Sequence, residues 1–135
     1  MRVCRSCGVA LVRYHQKVYC SLACQSEHQR QQKTEAWLRT GVATTISGNR
    51  RHYVRLYLLD AQERRCAVCG GDDTWQGRPL AFVLDHIDGD ASNNRRENLR
   101  LVCPNCDSQL PTFKSRNRGN GRAWRQRRYA EGKSY

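Results

Sequence analysis

Short apolar blocks separated by polar loops predict the elements in the second half of the chain. LAFVLDHI (80–87) is rich in branched and apolar residues, and NLRLVC (98–103) is a second apolar run, so we expect two short strands. The polar segment DGDASNNRRE (88–97) between them predicts a loop. PNCDSQLPTFK (104–114) predicts a helix, because Pro104 suits a first helical turn. The order indicates a strand, a loop, a second strand and a helix.

The first half of the chain predicts two helices joined by a linker. Ser21 is suited to cap a helix that begins in SLACQSEHQRQQK (21–33) and continues through KTEAWLRT (33–40). GVATTISGN (41–49) is rich in Gly, Thr and Ser and is typical of a linker. RRHYVRLYLLDAQERR (50–65) predicts the second helix. The side chains expected near one face of that helix are Tyr53, Leu56, Tyr57 and Leu59.

The cysteine content indicates how so small a chain is held together. Only 39% of the 135 residues are hydrophobic and 8% are aromatic, which is little for a conventional core. Small domains with weak cores usually rely on disulfides or on a structural metal. The eight cysteines form four close pairs: Cys4/Cys7, Cys20/Cys24, Cys66/Cys69 and Cys103/Cys106.

The spacing of these pairs favours two structural zinc sites. The pairs form C-x2-C-x12-C-x3-C and C-x2-C-x33-C-x2-C, and two close pairs can supply the four thiolates of a tetrahedral zinc ion. In the first set, His15 or His28 could replace a cysteine. The alternative is an extracellular disulfide framework, but MRVCRSCGVALVRY lacks the apolar run of a secretory signal. No apolar run approaches the roughly 18 residues of a membrane span, so we expect a soluble cytoplasmic protein that holds two Zn²⁺ ions.

Charge is distributed unevenly over a strongly basic chain. The formal net charge is +12, and two filled four-cysteine zinc sites would each lower it by about 2. Residues 66–113 hold four arginines against seven acids, whereas residues 114–135 hold eight basic residues against Glu131 alone. The basic tail predicts contact with nucleic acid, and Trp124 and Tyr129 within it could stack on bases. A solvated basic tail is the alternative.

An acid and a histidine lie together at the end of the first predicted strand. Successive side chains of a strand point to opposite faces, so Asp85 and His86 can serve a metal and a substrate separately. The helix that follows the second strand would bring Asp107 back towards Asp85. Two carboxylates offer hard oxygen ligands that suit Mg²⁺ or Mn²⁺. Such an ion would neutralise the acidic patch and let a phosphate approach.

The remaining polar residues of this stretch are expected to shape the loop. Asp88 and Asp90 flank Gly89, which is typical of a turn. Asn93 and Asn94 are interpreted as loop formers that can adopt positive φ. The histidines expected to be ordinary polar residues are His15, His28 and His52.

The stretch LDHIDGDASNNRRENLRLVCPNCDSQ, with CAVCGG upstream, resembles the HNH family of nucleases with the ββα-metal fold. It is most similar to the small zinc-binding HNH endonucleases that bacteriophages commonly encode. CRSCG…YCSLAC, WLRTG and RLYLLDAQERRCAVCG also fit that group, so the resemblance covers residues from about 4 to 118. It implies a small α+β, metal-stapled fold. This fold would have a treble-clef-like ββα-metal nuclease core with a Cys4 zinc site, an N-terminal Cys4 zinc knuckle and connecting helices.

The resemblance implies roles for four residues of the motif. His86 matches the first His of the family and would be the general base that takes a proton from the attacking water. Asn98 matches the central Asn and would hydrogen-bond backbone across the loop and fix the His86 ring. Asp85 and Asp107 would hold one catalytic divalent ion, Mg²⁺ or Mn²⁺. Asp107 stands where many members have the last His, which departs from the pattern but keeps an oxygen ligand.

Basic residues beside and beyond the motif are candidates for contact with double-stranded DNA. Arginines close to the site could clamp phosphate or pair with a neighbouring acid. The candidate DNA-binding residues are Arg95, Arg96, Arg100, Lys114, Arg116, Arg118, Arg122 and Arg125.

Together these features predict a metal-dependent DNA endonuclease that hydrolyses phosphodiester bonds with low sequence specificity, by nicking or by double-strand cleavage. The resemblance implies a phage-encoded protein of the bacterial cytoplasm, linked to DNA packaging or processing, with the phage terminase as the implied partner. We expect a monomer or a weak dimer. The alternatives are a non-catalytic zinc-dependent DNA-binding protein and a homing or restriction HNH nuclease. A protein that only binds DNA has no need to assemble the four residues of the motif.

The predicted domain organisation has four segments. An N-terminal zinc finger covers residues 1–32, and a helical and linker segment covers 33–60. The HNH nuclease domain covers 61–118, and a basic C-terminal tail covers 119–135. Within the zinc finger, LVRYHQKVYC (11–20) predicts a short hairpin.

Overall fold

The computed structural model describes residues 1–46, 50–114 and 130–132. Within these ranges the chain forms a small α+β fold, as expected from the sequence. The helices are α1 (Leu22–Thr40), α2 (Tyr53–Ala61) and α3 (Pro104–Gln109). The strands are β1 (Thr74–Trp75), β2 (Arg78–Pro79), β3 (Val83–His86) and β4 (Leu99–Val102), and a turn of 3-10 helix, Arg96–Asn98, precedes β4. No helix in the described ranges has the length and apolar character needed to cross a membrane.

Helix α1 begins and ends where its sequence signals predict. The Ser21 hydroxyl caps it by accepting a hydrogen bond from the Cys24 N–H at 3.2 Å. Gly41 ends it in the left-handed conformation, with φ 74°, and donates its N–H to the Trp37 carbonyl at 2.7 Å. The helix runs without a break across the expected boundary between residues 32 and 33. The division into domains stays a prediction.

Helix α2 buries a wider surface than its sequence pattern indicates. Tyr53 is buried as expected, but Val54 and Leu58, which the predicted face leaves out, are fully buried. The other residues of the predicted face, Leu56, Tyr57 and Leu59, are half-buried. The physical reason is that α2 packs against both α1 and β4, so two sides of the helix are covered rather than one stripe.

The segment after α1 packs on the core instead of forming a free linker. Within its described part, Ile46 is buried and Ala43 packs against the core cluster. The Thr44 N–H donates to the Tyr53 hydroxyl at 3.0 Å, and the Thr44 hydroxyl lies 2.9 Å from His52 Nε2. His52 is therefore a buried residue that caps α2 through its Nδ1 rather than an ordinary surface histidine.

The second half forms the strand, loop, strand and helix unit that the sequence predicts. Strands β3 and β4 are antiparallel, with Asp85 opposite Arg100 and His86 opposite Leu99. Leu99, Leu101 and Val102 of β4 are buried in the core that also receives α2. Helix α3 follows at once and packs against β3. This order places the end of β3, the loop and the first turn of α3 at one site.

Candidate active site and metal centres

Among the described residues, two groups of four cysteine sulfurs are the clusters of three or more His, Cys, Asp or Glu side chains that could hold a metal ion. In each group, all four sulfur atoms lie within 4.8 Å of one another, and none of the eight cysteines forms a disulfide. The first group is Cys4, Cys7, Cys20 and Cys24, and the second is Cys66, Cys69, Cys103 and Cys106. Sulfur pairs lie 3.5 to 3.9 Å apart where they contact. Zinc–sulfur bonds of about 2.3 Å in a tetrahedron separate sulfurs by about 3.8 Å, so both sets fit zinc.

Backbone N–H groups point at the sulfurs of the second cluster. The Cys103 N–H donates to Cys66 Sγ at 3.2 Å, and the Gly71 N–H donates to Cys69 Sγ at 3.4 Å. Burial raises the pKa of the Cys66 thiol, but backbone hydrogen bonds, led by that of Cys69, outweigh it and lower the pKa to about 6. The side-chain hydrogen bond with Cys103 raises the pKa of Cys106 to about 12. Such crowded thiols cannot all ionise without a cation, which is the setting in which a metal binds.

The first cluster is built from turns and the start of α1. Residues 11–20 do not form the expected hairpin, and an isolated bridge joins Val3 to Ala10 instead. The four clustered ligands are cysteines, so His15 and His28 are not part of the set. The His28 ring packs against Tyr19, with 5.7 Å between the ring centroids.

Asp85 lies at the end of β3 in an ion pair with its cross-strand partner. Its side chain is 7% exposed, and its Oδ2 accepts a hydrogen bond from Arg100 Nε at 2.7 Å. The sequence left two roles open for Arg100, contact with phosphate or pairing with a neighbouring acid. In the structure it pairs with the acid. The positive guanidinium of Arg100 compensates the charge of the nearly buried Asp85 carboxylate.

Asp107 lies in the first turn of α3, which packs against the strand that carries Asp85. Burial raises the pKa of Asp107, the charge of Asp85 raises it further, and Lys114 opposes the shift. The charge of Asp85 therefore acts on Asp107, and the expectation that the two hold one ion stays a prediction. Two such oxygen donors at one site fit a hard divalent cation, which would relieve the repulsion.

The loop between β3 and β4 is held by Asn98, which is buried. Its Oδ1 accepts a hydrogen bond from the Asp88 N–H at 3.0 Å, and its Nδ2 donates to Asp88 Oδ1 at 2.9 Å and to the Asn93 carbonyl at 2.8 Å. Asp88 Oδ1 also accepts from the Asp90 N–H at 2.8 Å, so these two acids build the turn as predicted. The predicted hydrogen bond of Asn98 to backbone across the loop is confirmed.

The His86 ring is held by a different asparagine from the one expected. His86 Nε2 lies 2.8 Å from Asn94 Oδ1. Asn98 makes no recorded contact with this ring, because both its amide N–H groups and its oxygen are engaged inside the loop. The expectation that Asn98 fixes the ring is corrected here, and so is the interpretation of Asn94 as a loop former only.

The comparisons with known proteins agree with this geometry. Residues 78–105, which run from β2 through β3, the loop and β4 to the start of α3, match a family described as HNH endonuclease. The H-N-H endonuclease F-TflIV of Escherichia phage T5 is 40% identical over 55 residues, which cover 41% of this chain. Both similarities are to HNH endonucleases, and residues 78–105 are called the HNH segment. The aligned region spans 24% of the phage T5 protein, about a quarter of its length. No solved structure gives a significant match.

Basic residues surround the HNH segment in different settings. Arg95 is exposed, and the Arg96 guanidinium lies 5.5 Å from the centroid of the Tyr57 ring. Lys114 Nζ lies 5.1 Å from the centroid of the Phe113 ring. The other candidate DNA-binding residues, Arg116, Arg118, Arg122 and Arg125, lie outside the described residues.

Two features of the HNH segment were not predicted from the sequence. One is the contact of Asn94 with His86, and the other is the hydrogen bond from Trp37 Nε1 to the Asn94 carbonyl at 2.6 Å. An asparagine eight residues after a histidine carries no periodic signal, and Trp37 is 57 residues away along the chain. The one available signal was a tryptophan within an otherwise polar helix, which needs a buried partner for its N–H.

Proposed function

We propose that this chain is a metal-dependent DNA endonuclease that hydrolyses phosphodiester bonds with low sequence specificity. The observation that carries the proposal is a histidine held by a side-chain hydrogen bond and next in sequence to one of two carboxylates that repel each other. That group lies in and beside the HNH segment. A DNA-binding protein without catalysis gains nothing from a second carboxylate, Asp107, near the Asp85–Arg100 pair, because negative charge repels DNA.

His86 acts as the general base in the proposed reaction. Its neutral imidazole takes a proton from a water molecule, whose oxygen forms the new bond to phosphorus as the bond to the 3′ oxygen breaks. The leaving oxygen then takes a proton from solvent. Asp85 and Asp107 would hold the divalent ion, Mg²⁺ or Mn²⁺, whose charge supports the phosphate and the leaving oxygen. Asn98 holds the loop next to His86 in its conformation through its hydrogen bonds.

The two cysteine clusters hold structural zinc in this proposal, with the second in a treble-clef-like arrangement. Support comes from the sulfur spacing and from the N–H groups that point at the sulfurs. The second cluster spans the start of α3, because the Cys103 sulfur caps the helix by accepting from the Cys106 N–H at 3.5 Å. Zinc there would fix the helix that carries Asp107.

Double-stranded DNA is the proposed substrate, held by basic residues around the site. Arg95, Arg96 and Lys114 contact phosphates near the HNH segment, and Arg100 reaches phosphate once it releases Asp85. The tail residues Arg116, Arg118, Arg122 and Arg125 are further candidates for contact with phosphates. Such contacts give affinity that falls as salt rises. The phage T5 relative supports the proposal that the protein is phage-encoded and acts in the bacterial cytoplasm. We also propose that it acts in DNA packaging with the terminase, as a monomer or a weak dimer.

The test is cleavage of supercoiled plasmid by zinc-loaded protein with Mg²⁺, with Mn²⁺ or with neither. Leaving the ion out is better than adding EDTA, because EDTA would also strip structural zinc. His86→Ala should reduce the rate about 10²- to 10⁴-fold, the usual effect of losing a general base. His15→Ala, a change at an exposed histidine outside the cysteine cluster, is the matched control and should cut like the wild type.

The non-catalytic DNA-binding protein is the second candidate, favoured by the Arg100 guanidinium that occupies an oxygen of Asp85. If no divalent ion produces cutting while wild type and His86→Ala shift DNA equally in a gel, this candidate replaces the nuclease. A homing or restriction nuclease would instead give fragments whose ends map to one sequence. Sequencing of the cleaved ends separates that outcome from cutting with low specificity.

A further inference from the structure

We propose that Asn94 is a positioning residue that holds the His86 ring with its Nε2 protonated and its Nδ1 free to accept a proton. This inference rests on the proposed function, in which His86 is the general base. No motif of the sequence and no comparison with known proteins assigns Asn94 a role.

The polarity of the contact decides which ring nitrogen is free. Asn94 Oδ1 lies 2.8 Å from His86 Nε2. With the amide placed so that its oxygen faces the ring, the ring nitrogen is the donor of this contact, because an amide oxygen only accepts hydrogen bonds. In a neutral imidazole the other nitrogen, Nδ1, then keeps its lone pair. A general base needs such a lone pair, in a fixed direction, at the moment when water attacks.

Asn94 is itself anchored from a distant part of the chain. Its backbone carbonyl accepts the indole N–H of Trp37 at 2.6 Å. Trp37 is 0% exposed, and its ring meets that of Tyr57 edge-on, with centroids 5.4 Å apart and planes at 81°. A buried indole between two helices has little freedom to move. Asn94 therefore links α1 to His86: its backbone carbonyl binds Trp37, and its side-chain amide binds the imidazole.

The chain is pinned on both sides of Asn94. Before it, the Asn93 carbonyl accepts from Asn98 Nδ2 at 2.8 Å. After it, Arg95 lies so close to the end of α1 that a Cβ built on Gly41 would lie 2.8 Å from Arg95 Cγ. The residue that holds His86 is thus placed by contacts at three successive positions. Such support is typical of a group whose orientation matters to chemistry.

The first readout is the protonation of the ring nitrogens, measured by NMR on zinc-loaded protein labelled with ¹⁵N. The four histidines can be distinguished because the His86 signals disappear in His86→Ala. Wild type should show the tautomer with the proton on Nε2. Asn94→Ala should lose this preference, and Asn94→Asp, which keeps an acceptor oxygen at the same distance, should retain it. A wild-type protein with the proton on Nδ1 overturns the proposal.

The second readout separates positioning from loss of structure. Asn94→Ala should lower kcat about 10- to 100-fold with little change in KM, the usual range for a misplaced catalytic group. Asn94→Asp should restore kcat above that of the alanine variant. Asn93→Ala is the matched control, because the Asn93 side chain donates to Asp88 Oδ2 at 2.8 Å in the same loop but does not contact His86.

Three further outcomes count against the proposal, and one counts against the proposed function. An unchanged kcat in Asn94→Ala refutes positioning, and so does an equal loss of kcat and tautomer preference in Asn93→Ala. Failure of Asn94→Asp to retain the tautomer also refutes it. A wild-type protein that cuts no DNA with any divalent ion refutes the nuclease, whereas the NMR comparison still decides the contact of Asn94 with His86.

Discussion

Replacing Arg100 by methionine tests how the nearly buried carboxylate of Asp85 is stabilised in the folded protein. Arg100 Nε donates to Asp85 Oδ2 at 2.7 Å across the β3–β4 pair. Methionine keeps an unbranched side chain on the strand but removes the charge and the donors. The Asp85 carboxylate, with its side chain 7% exposed, then loses this partner.

The expected loss of stability follows from how buried the two groups are. Removing one partner of a buried ion pair costs about 3 to 5 kcal/mol, whereas an exposed pair is worth about 0 to 1 kcal/mol. Asp85 belongs to the first class, but the Arg100 side chain is 29% exposed and water screens it. We therefore expect Arg100→Met to lower the free energy of unfolding by about 2 kcal/mol, between the two classes.

Urea unfolding of zinc-loaded protein, followed by far-UV circular dichroism at pH 7, measures this change. Arg78→Met is the matched control, because Arg78 lies exposed on β2, and its loss should stay within about 0.5 kcal/mol. The same unfolding measurement is repeated with Mg²⁺ present. If Asp85 and Asp107 hold a divalent ion, Mg²⁺ at about 100 times its Kd should return about 2.7 kcal/mol to the variant.

Two results would refute this reasoning about Arg100. A loss no greater than that of Arg78→Met means that the Asp85 carboxylate does not depend on the guanidinium. A loss of the expected size that Mg²⁺ fails to reduce at any concentration means that Asp85 and Asp107 do not form a cation site in the folded protein. The first result contradicts the energetic argument, and the second contradicts the proposed ion site alone.

Two further predictions concern the supports of the site. Trp37→Phe keeps an aromatic ring against Tyr57 but leaves the Asn94 carbonyl without its donor, so the free energy of unfolding should fall by about 0.5 to 1.5 kcal/mol. Unchanged stability in urea would contradict the role of this bond. Cys66→Ser and Cys4→Ser should each lower the zinc content from two ions per chain to one, as measured by mass spectrometry. A variant that keeps both ions would contradict the assignment of its cluster. Zinc should also leave wild type as the pH falls, because thiolates bind zinc and thiols do not.

The regular elements near the site could be predicted from local patterns. The apolar runs identified β3 and β4, and the C-P-N-C sequence identified the start of α3, because each signal lies within a few residues of the element it specifies. The approach of Asp107 to Asp85 followed from that order alone. The cysteine clusters were also predictable, since the spacing of thiol pairs is a local property that survives the folding of the chain between them.

The parts that could not be predicted depend on contacts between distant segments. Val54 and Leu58 are buried because α2 has neighbours on two sides, and a one-face pattern cannot express that. Ile46 lies in a segment whose composition is typical of a linker, yet it enters the core. The hydrogen bond from Trp37 to Asn94 joins residues 57 positions apart, so neither residue carries a sign of the other.

The two cysteine clusters relate to the proposed active site in different ways, although both lie at the start of a helix. Cys106 immediately precedes Asp107 in the first turn of α3, so any movement of the second cluster moves a proposed ion ligand directly. Cys24 lies in the first turn of α1, and Trp37, which holds Asn94, is about 20 Å further along the same helix at 1.5 Å per residue. Loss of the first cluster can reach His86 only if α1 shifts as a whole, and the packing of buried Trp37 against Tyr57 opposes that shift. Disruption of the second cluster should therefore impair cutting more than disruption of the first.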